Sequence, residues 1–480
     1  MSFKRVFSNS ALVLTGEVVE RILRLALVVF SARLLGDVQY GKFAFALSYA
    51  SLFLILADFG LHQLIVREIA RTPEKTKLYL SNGLFLKLIF SALTYVLIIG
   101  IVQFTGKSRN DLTAVYVIGA AFIVGSFAEF FSSVFRARQK MTYDVTATLI
   151  FGSFVNFVGI TILFMGFNFV VLAYVYLGAH ILRVLYCILI VQFKFVPIRI
   201  SFDLSTMKFL IKEGFPFGIL YFFALMYTYI DSTMLSLMKG DEPVGWYNAA
   251  YRLVFAMMFI PTATMKVVFP ALSLYYKQSM DLFKSLFERS FKVMFLLGFS
   301  IAALIFSLSD RIIPLLFGEE YLPAANALKI LVWSTATIFI GTVQTHATRA
   351  SNQQGFTAKV VSASAVLNVV LNFILIPKYS LYGAAFATLA SELFTFLLHS
   401  RYLTIHLVMP PIFKLAPKIA IICTAVILYV NAVSGVNLMI VLLTSGLLIV
   451  VMALITRYFT KEEMQFISRF IKQPRKFATT

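Results

Sequence analysis

Long apolar runs, each about 20 residues in length, follow one another along the chain and are separated by short polar segments. The runs show no alternation of apolar and polar positions with a period of two, so they predict helices rather than β-strands. About 20 apolar residues is the length that crosses the hydrocarbon core of a bilayer. In lipid, only helices and closed barrels satisfy all their backbone hydrogen bonds. The pattern therefore predicts an all-α integral membrane protein.

We assign fourteen transmembrane helices to these runs. Composition agrees, because 60% of the 480 residues are hydrophobic and 13% are charged, about half the charged fraction of an average soluble domain. A soluble globular protein is therefore excluded. The predicted helices cover residues 11–32, 43–63, 79–101, 112–134, 143–165, 169–192, 215–238, 246–270, 291–309, 325–347, 358–377, 382–399, 417–434 and 437–456.

The net charge of +20 raises the possibility of nucleic-acid binding, but the positions of the basic residues favour another explanation. With the N-terminus inside, the cytoplasmic segments hold 28 lysines and arginines and the outer segments hold 7. The positive-inside rule then predicts a multi-pass protein of the cytoplasmic (plasma) membrane with both termini in the cytoplasm. We expect the basic side to face anionic phospholipids, and we expect no nucleic-acid partner.

A short motif occurs twice in the chain, at an offset of 204 residues. Six predicted helices separate the two copies, so both enter the membrane in the same orientation. Transporters built from parallel repeats have this arrangement, with a site between the repeats. The matching pairs are Gly36 and Gly240, Asp37 and Asp241, Gly41 and Gly245, Phe43 and Tyr247, and Ala46 and Ala250.

The repeat divides the chain into segments. We predict a six-helix lobe over 1–196, a cytoplasmic amphipathic linker over 197–214, a second six-helix lobe over 215–406, and helices 13 and 14 with a basic cytoplasmic tail over 407–480. Apolar positions at helical spacing indicate helices that lie on the membrane surface, more as plain linkers than as regulatory or partner sites. These positions are Leu204, Met207, Leu210 and Ile211 in the linker, and Met464, Ile467, Phe470 and Ile471 in the tail.

Helix 1 carries four charged residues within two turns, Glu17, Glu20, Arg21 and Arg24. A charge at the bilayer centre costs roughly 2.5–3.5 kcal/mol on insertion scales, so these side chains are expected to face a partner or a cavity. Glu17 with Arg21, and Glu20 with Arg24, have the i,i+4 spacing of helical ion pairs. Two interpretations stay open: pairs that neutralise themselves, or arginines that present guanidinium groups to a phosphate.

Two further charge pairs follow from the depth at which the residues are expected to lie in the membrane. Asp58 on helix 2 and Lys87 on helix 3 lie equally far from the loop between them, and so do Asp231 and Arg252 on helices 7 and 8. Each pair fits a structural salt bridge or a contact with substrate or a coupling ion, and Asp231 is the best candidate for a carboxylate linked to H+ or Na+. Charged residues nearer the helix ends are interpreted as structural or snorkelling side chains: Arg183, Lys266, Glu129, Glu392, His62 and His346.

Motifs for catalysis and ATP hydrolysis are missing from the sequence. It contains no GxxxxGKS/T, HExxH or GxSxG pattern. Its two cysteines, Cys187 and Cys423, lie far apart without metal-ligand spacing. We therefore expect a transporter and not an enzyme, with no catalytic residues, no cofactor and no metal site.

Two segments carry a family resemblance: SARLLGDVQYGKFAFALSYASLFLILADFGLHQLIVREIAR over 31–71, and YIDSTMLSLMKGDEPVGWYNAAYRLVFAMMFIPTATMKVVFPALS over 229–273. They resemble polysaccharide biosynthesis membrane proteins, the Wzx-type flippases of the MATE-like (MOP) exporter superfamily. The resemblance covers essentially the whole chain. It implies two six-helix lobes around a central cavity, two extra C-terminal helices, and export of a polyprenyl-diphosphate-linked oligosaccharide from the cytoplasmic to the outer leaflet.

With this substrate, Arg21 and Arg24, supported by Arg252 and Lys87, are the expected ligands of the diphosphate. Moving two negative charges outward across an inside-negative potential is favoured by roughly 4–5 kcal/mol per 100 mV. Antiport of H+ or Na+ through Asp231 or Asp58 would add to this. Glycosyltransferases and a glycan polymerase are the expected protein partners.

Three alternatives stay open. A MATE-type exporter of cationic drugs calls for an acidic cavity, whereas the intramembrane residues include seven basic and six acidic side chains. A lipid II flippase would handle a closely related lipid. A membrane glycan polymerase or ligase would require catalytic loops, which the sequence does not show.

Overall fold

The computed structural model describes residues 3–460 and 463, with side chains for residue 19, residues 22–460 and residue 463. The side chains of Glu17, Glu20 and Arg21, and the predicted surface helix of the tail, lie outside the described part. Every regular element described is helical, which confirms the all-α prediction. The helices are α1 (Phe3–Asp58), α2 (Leu61–Arg71), α3 (Thr76–Val102), α4 (Arg109–Ala137), α5 (Met141–Phe164), α6 (Phe169–Lys194), α7 (Leu204–Lys239), α8 (Glu242–Met257), α9 (Phe259–Gln278), α10 (Met280–Phe317), α11 (Leu322–Ala350), α12 (Gln354–His406), α13 (Ile412–Ala432) and α14 (Leu438–Ile455).

Within the described residues, twelve helical stretches are long and apolar enough to cross a membrane. Two of them contain a non-helical break, at Gly36 in α1 (φ 76°, ψ 168°) and at Ser380 in α12 (φ 51°, ψ −131°). Both breaks fall in loops that the sequence predicted, between helices 1 and 2 and between helices 11 and 12. When the segments on either side of each break are taken separately, the twelve stretches become fourteen.

The second predicted helix ends earlier than expected. It was placed over 43–63, but α1 ends at Asp58, and Phe59 and Gly60 have left-handed backbone (φ 48° and 78°) before α2 begins. The reason is close packing against α7, since a Cβ atom at Gly60 would lie 2.5 Å from the carbonyl oxygen of Gly214. Glycine avoids that collision and tolerates the left-handed conformation.

Next to this break, an ion pair joins α2 to α7. The Nη2 atom of Arg67 lies 2.8 Å from the Oε2 atom of Glu213. The hydrogen bond that Arg67 donates to Glu213 raises the pKa of Arg67 above its ordinary value. The short helix α2 is thereby attached to the beginning of α7.

Only the second part of the predicted linker, from Leu204 onward, is helical, and it is not a separate helix. Helix α7 runs without a break from Leu204 through Pro216 to Lys239. Its start is fixed by Asp203, whose carboxylate accepts hydrogen bonds from the backbone N–H groups of Ser205 and Thr206. The hydrogen bonds that Asp203 accepts from the side chains and the backbone of Thr206 and Ser205 hold its pKa below its ordinary value.

The chain forms two compact units. Unit 1 comprises Met1–Ala256, Ile313–Ala327 and Val361–Ala387, and unit 2 comprises Met257–Ile312, Leu328–Val360 and Thr388–Thr480. In unit 1, a large core lies among α2, α3, α4 and α6, with Leu64, Phe130 and Phe135 fully buried. The lobe boundaries at 196 and 215 remain a prediction.

In unit 2, phenylalanines at every fourth position of α10 form a ladder of rings. Phe283, Phe287, Phe291 and Phe295 are buried, and consecutive ring centroids lie 6.4, 6.1 and 5.8 Å apart. Residues four apart lie on one face of a helix, so the ladder forms a continuous apolar stripe along α10. This stripe uses part of the 50 phenylalanines of the chain as core.

Many large apolar side chains are exposed instead of buried. Phe157, Phe193 and Leu443 are 76%, 80% and 73% exposed. Exposing such apolar surfaces to water would be unfavourable, whereas contact with the hydrocarbon of a membrane is not. The exposed apolar faces and the helix lengths together identify a multi-pass membrane protein.

The two copies of the repeated motif meet inside unit 1. Gly36 and Gly240 have nearly the same backbone conformation, with φ values of 76° and 91° and extended ψ. A Cβ atom at Gly41 would collide with the carbonyl oxygen of Asp241, and one at Gly245 with that of Asp37. Each copy therefore uses its second glycine to pack against the aspartate backbone of the other copy.

Candidate functional site

Unit 1 contains a cavity of about 550 Å³. Its walls come from both halves of α1 and from α2, α4, α5, α6, α7 and α8. The break at Gly36 turns the chain back, so both halves of α1 can line the same space. The volume lies within the roughly 300–1,000 Å³ that is typical of small-molecule sites.

Among the described residues, three arginines line this cavity: Arg24 of α1, Arg183 of α6 and Arg252 of α8. The side chain of Arg252 forms a hydrogen bond with the hydroxyl of Tyr40, which also lines the cavity. Two predicted ligands, Arg24 and Arg252, thus share one cavity although 228 positions separate them in the sequence. Planar guanidinium groups bind phosphate oxygens in pairs.

One of the two described carboxylates of the lining is Glu129 of α4, and arginines hold both of its oxygens. Arg183 binds Oε1, and the Nη2 atom of Arg136 lies 2.6 Å from Oε2. Arg136 also binds Asp144 of α5, with Nε 2.9 Å from Oδ2. This network ties α4, α5 and α6 together at the cavity wall and neutralises Glu129.

The other described carboxylate is Asp58. Its Oδ1 atom lies 3.3 Å from Nζ of Lys87, and its Oδ2 atom lies 2.5 Å from Nδ1 of His62. The predicted pairing of Asp58 with Lys87 is confirmed. Lys87 itself has no exposed surface and also donates to the carbonyl oxygen of Ala57. Asp58 and His62 line the cavity, but Lys87 lies behind them.

Asp231 lies elsewhere in unit 1, outside the lining of this cavity. Its Oδ2 atom accepts a hydrogen bond from the Tyr247 hydroxyl at 2.6 Å, and its Oδ1 atom accepts one from Nδ2 of Asn372 at 2.5 Å. The same Nδ2 atom lies 3.1 Å from Oδ1 of Asn368. The pairing of Asp231 with Arg252 stays a prediction.

From the sequence, Glu129 and Arg183 are interpreted as structural or snorkelling side chains. Both line the cavity, and they bind each other. Their helices are not neighbours in the chain, so the hairpin argument that paired Asp58 with Lys87 could not be applied to them. The signal available in the sequence was the opposite charge of Glu129 and Arg183 within two predicted membrane helices.

A multi-pass helical fold with a polar, arginine-lined cavity among its helices defines a membrane transporter. Residues 6–275, more than half of the chain, match the family model described as polysaccharide biosynthesis protein, and residues 216–374 match the MatE family model. The chain belongs to the polysaccharide biosynthesis protein family, as the resemblance indicated.

Two curated relatives are similar over most of their length. The chain is 27% identical over 388 residues to the probable low-salt glycan biosynthesis flippase of Haloferax volcanii, with 78% of this chain and 79% of the relative covered. It is 25% identical over 398 residues to a putative O-antigen transporter of Shigella flexneri, with 79% and 93% covered. The prediction of a transporter rather than an enzyme is confirmed by the family and these relatives.

Solved structures show the same fold. The lipid II flippase MurJ in an inward closed conformation aligns with a TM-score of 0.74 at 15% identity, covering 92% of this chain and 97% of that one. An inward-facing multidrug resistance MATE family transporter of the MOP superfamily aligns with a TM-score of 0.64 at 15% identity, covering 80% and 95%. The chain therefore shares its fold with these two solved structures.

Proposed function

We propose that the protein is a flippase that moves a polyprenyl-diphosphate-linked oligosaccharide from the cytoplasmic to the outer leaflet by alternating access. The charge balance of the cavity carries the proposal. Three described arginines line it, whereas each of its two described carboxylates binds a basic side chain of the protein itself. This balance favours an anionic diphosphate over a cationic drug.

Within the cavity we assign the diphosphate to Arg24 and Arg252. Arg252 bonds the neutral hydroxyl of Tyr40, and a phosphate oxygen is a stronger, charged acceptor for the same guanidinium. Arg21, predicted for the same role, keeps that assignment as a prediction. Lys87 is assigned to neutralising Asp58, because its buried ammonium group is already bonded there.

Alanine at Arg24 or Arg252 is expected to slow flipping of the lipid-linked oligosaccharide by about 10- to 100-fold. Hydrogen bonds to charged groups contribute about 1.5–3 kcal/mol each, and 1.4 kcal/mol corresponds to a factor of ten. Arg252→Lys keeps the charge but loses two-point binding, so an intermediate rate is expected. The rate is measured in proteoliposomes from the accessibility of the labelled glycan to an added glycosidase.

Arg33→Ala is the matched control, because Arg33 lies on α1, is exposed, and does not line the cavity. Its flipping rate should equal that of the wild type. Unchanged rates for both Arg24→Ala and Arg252→Ala would refute the diphosphate assignment. Lipid II is assayed alongside, and faster flipping of lipid II than of oligosaccharide lipids would replace the proposed substrate with the peptidoglycan precursor.

Asp231 is our choice for the carboxylate that couples transport to H+ or Na+ antiport, in addition to the membrane potential. Side-chain oxygens of Asp231, Asn368 and Asn372 lie together, and among the described residues Oδ1 of Asn372 has no hydrogen-bond partner. Oxygen ligands suit hard cations such as Na+. Asp58, the other candidate, is neutralised by Lys87.

Asp231→Asn is expected to remove stimulation of flipping by an imposed H+ or Na+ gradient, while flipping driven by a K+ diffusion potential continues. The loss follows because an amide neither binds a proton near neutral pH nor carries the charge that attracts Na+. Proteoliposomes with each gradient imposed separately provide the measurement. Asp281→Asn, a change at an exposed aspartate, should retain the stimulation, and full stimulation in Asp231→Asn would exclude Asp231 as the coupling group.

We propose that the protein resides in the plasma membrane with both termini in the cytoplasm. The asymmetry of 28 to 7 basic residues between the two sides supports this orientation. Anionic phospholipids would then contact the basic side. Glycosyltransferases would supply the lipid-linked glycan, and a glycan polymerase would use it after export.

A further inference from the structure

A row of aromatic rings runs along one wall of the cavity in unit 1. Phe43, Tyr176, Phe151, His180 and Phe122 follow one another, with successive ring centroids 5.4, 5.9, 4.3 and 6.1 Å apart. All five residues line the cavity. They come from α1, α4, α5 and α6, so the row exists only in the folded protein.

In the same cavity, four side chains, among them His180 of the row, hold polar atoms that have no hydrogen-bond partner among the described residues. They are Oγ of Ser31, Oδ1 of Asn156, both ring nitrogens of His180, and Nε of Arg183. These side chains are at least nine-tenths buried, at 1%, 6%, 8% and 9% exposure, and all line the cavity. Leaving buried polar atoms without partners is costly, and each such group in a native structure calls for an explanation.

Contacts with helix backbone position Asn156 and His180. Nδ2 of Asn156 donates to the carbonyl oxygen of Gly152 at 2.8 Å, which leaves Oδ1 without a partner. A Cβ atom at Gly125 of α4 would collide with the His180 ring. The glycine thus makes room for the imidazole against α4, where it stacks on Phe151.

The ability of these atoms to donate or accept hydrogen bonds distinguishes between possible ligands. Oδ1 of Asn156 only accepts, Nε of Arg183 only donates, and a neutral imidazole does one of each. A phosphate has no donors when ionised, so it would leave Oδ1 of Asn156 unsatisfied. A prenyl chain would satisfy none of these atoms. Sugar hydroxyls both donate and accept, and the C–H face of a pyranose ring packs on aromatic rings.

We infer that this wall is a saccharide subsite, which binds the sugar next to the diphosphate through Asn156, His180 and the aromatic row. The inference rests on the proposed function and adds to it a recognition element for a neutral hexopyranose or acetamido sugar. Arg24 and Arg252 hold the diphosphate, and the aromatic wall distinguishes a glycosylated lipid from a bare one. The cavity volume of about 550 Å³ leaves room for both groups.

The test compares lipids that differ only in the sugar. The full-length protein is placed in nanodiscs without sugar-based detergents, and native mass spectrometry measures binding of a short polyprenyl diphosphate that is bare, glucosylated or linked to N-acetylglucosamine. The wild type should bind at least one glycosylated lipid more tightly than the bare one. Asn156→Leu and His180→Phe should each reduce that preference by about fivefold or more, with affinity for the bare lipid unchanged.

The matched control is His399→Phe. His399 is a buried histidine of unit 2 that also has a ring nitrogen without a partner among the described residues, and it does not line the cavity. Its preference should equal that of the wild type. Arg252→Ala should weaken the binding of all three lipids to the same extent. Thermal unfolding of each variant shows that it is folded, and the two variants on different helices provide independent measurements.

Two results would overturn the subsite: no preference for either glycosylated lipid in the wild type, or equal loss of bare and glycosylated lipids in both variants. Failure of the wild type to bind any of the three lipids is a different result. It would refute the diphosphate-lipid function itself and the saccharide subsite with it. Normal diphosphate binding without sugar preference refutes the subsite alone.

Discussion

Lys87→Met is expected to destabilise unit 1 by about 3–5 kcal/mol, the usual cost of removing one partner from a buried ion pair. Asp58 is 4% exposed and its Oδ1 atom lies 3.3 Å from Nζ of Lys87. Methionine fills the same space but leaves the carboxylate without the ammonium group. It also removes the hydrogen bond to the carbonyl oxygen of Ala57. Thermal unfolding of the purified variant in nanodiscs is the measurement.

The double variant Asp58→Asn with Lys87→Met separates the lost charge pair from lost packing. Removing both charges should restore much of the stability, because no uncompensated charge remains buried. Lys77→Met is the matched control, since Lys77 lies on the same helix but is exposed. If Lys87→Met unfolds at the wild-type temperature, or if the double variant is no more stable than the single one, the buried pair does not have the proposed role.

Gly41→Ala and Gly245→Ala are expected to force apart the contact between the two copies of the repeated motif. A Cβ atom at either position would overlap a carbonyl oxygen of the other copy, Asp241 or Asp37. Backbone atoms cannot rotate away as a side chain does, so the helices must shift. Overpacking of this kind costs about 1–3 kcal/mol and occasionally more. Thermal unfolding and the flipping rate are both measured.

Gly100→Ala provides the control, because nothing lies within 4 Å of a Cβ atom at Gly100 in α3. Alanine is favoured over glycine inside a helix by roughly 0.5–1 kcal/mol, so this variant should be as stable as the wild type or more stable. The double variant Gly41→Ala with Gly245→Ala should be no worse than the sum of the single changes, since one opening relieves both contacts. Wild-type stability and flipping in both single variants would show that the contact is not needed.

The repeated glycines show what a sequence pattern can predict and what it cannot. The sequence paired Gly36 with Gly240 and Gly41 with Gly245 by their common offset. The structure adds that the first pair shares a left-handed backbone and that the second pair forms reciprocal contacts. A repeat can be recognised from residue identity alone, but the contact between its copies depends on how distant helices cross.

Charged residues show the same division. Asp58 and Lys87 could be paired in advance because their helices are consecutive and antiparallel, so distance from the loop measures depth. Depth does not tell, however, whether a side chain faces a cavity or lies behind another residue, so it could not decide the roles of these residues. Lys87 is fully buried, and Arg183, interpreted as a structural or snorkelling side chain, lines the cavity instead.

The sequence by itself determined the membrane class, the helical fold, the approximate helices and the repeat, because length, composition and periodicity are properties of consecutive residues. It also indicated the family. Only the tertiary structure decided which charges share a cavity, that Glu129 is neutralised by Arg183 and Arg136, and that Asn156 lines the same cavity as the aromatic row. Those facts depend on packing between helices that are far apart in the chain, and helical periodicity carries no information about which helices become neighbours.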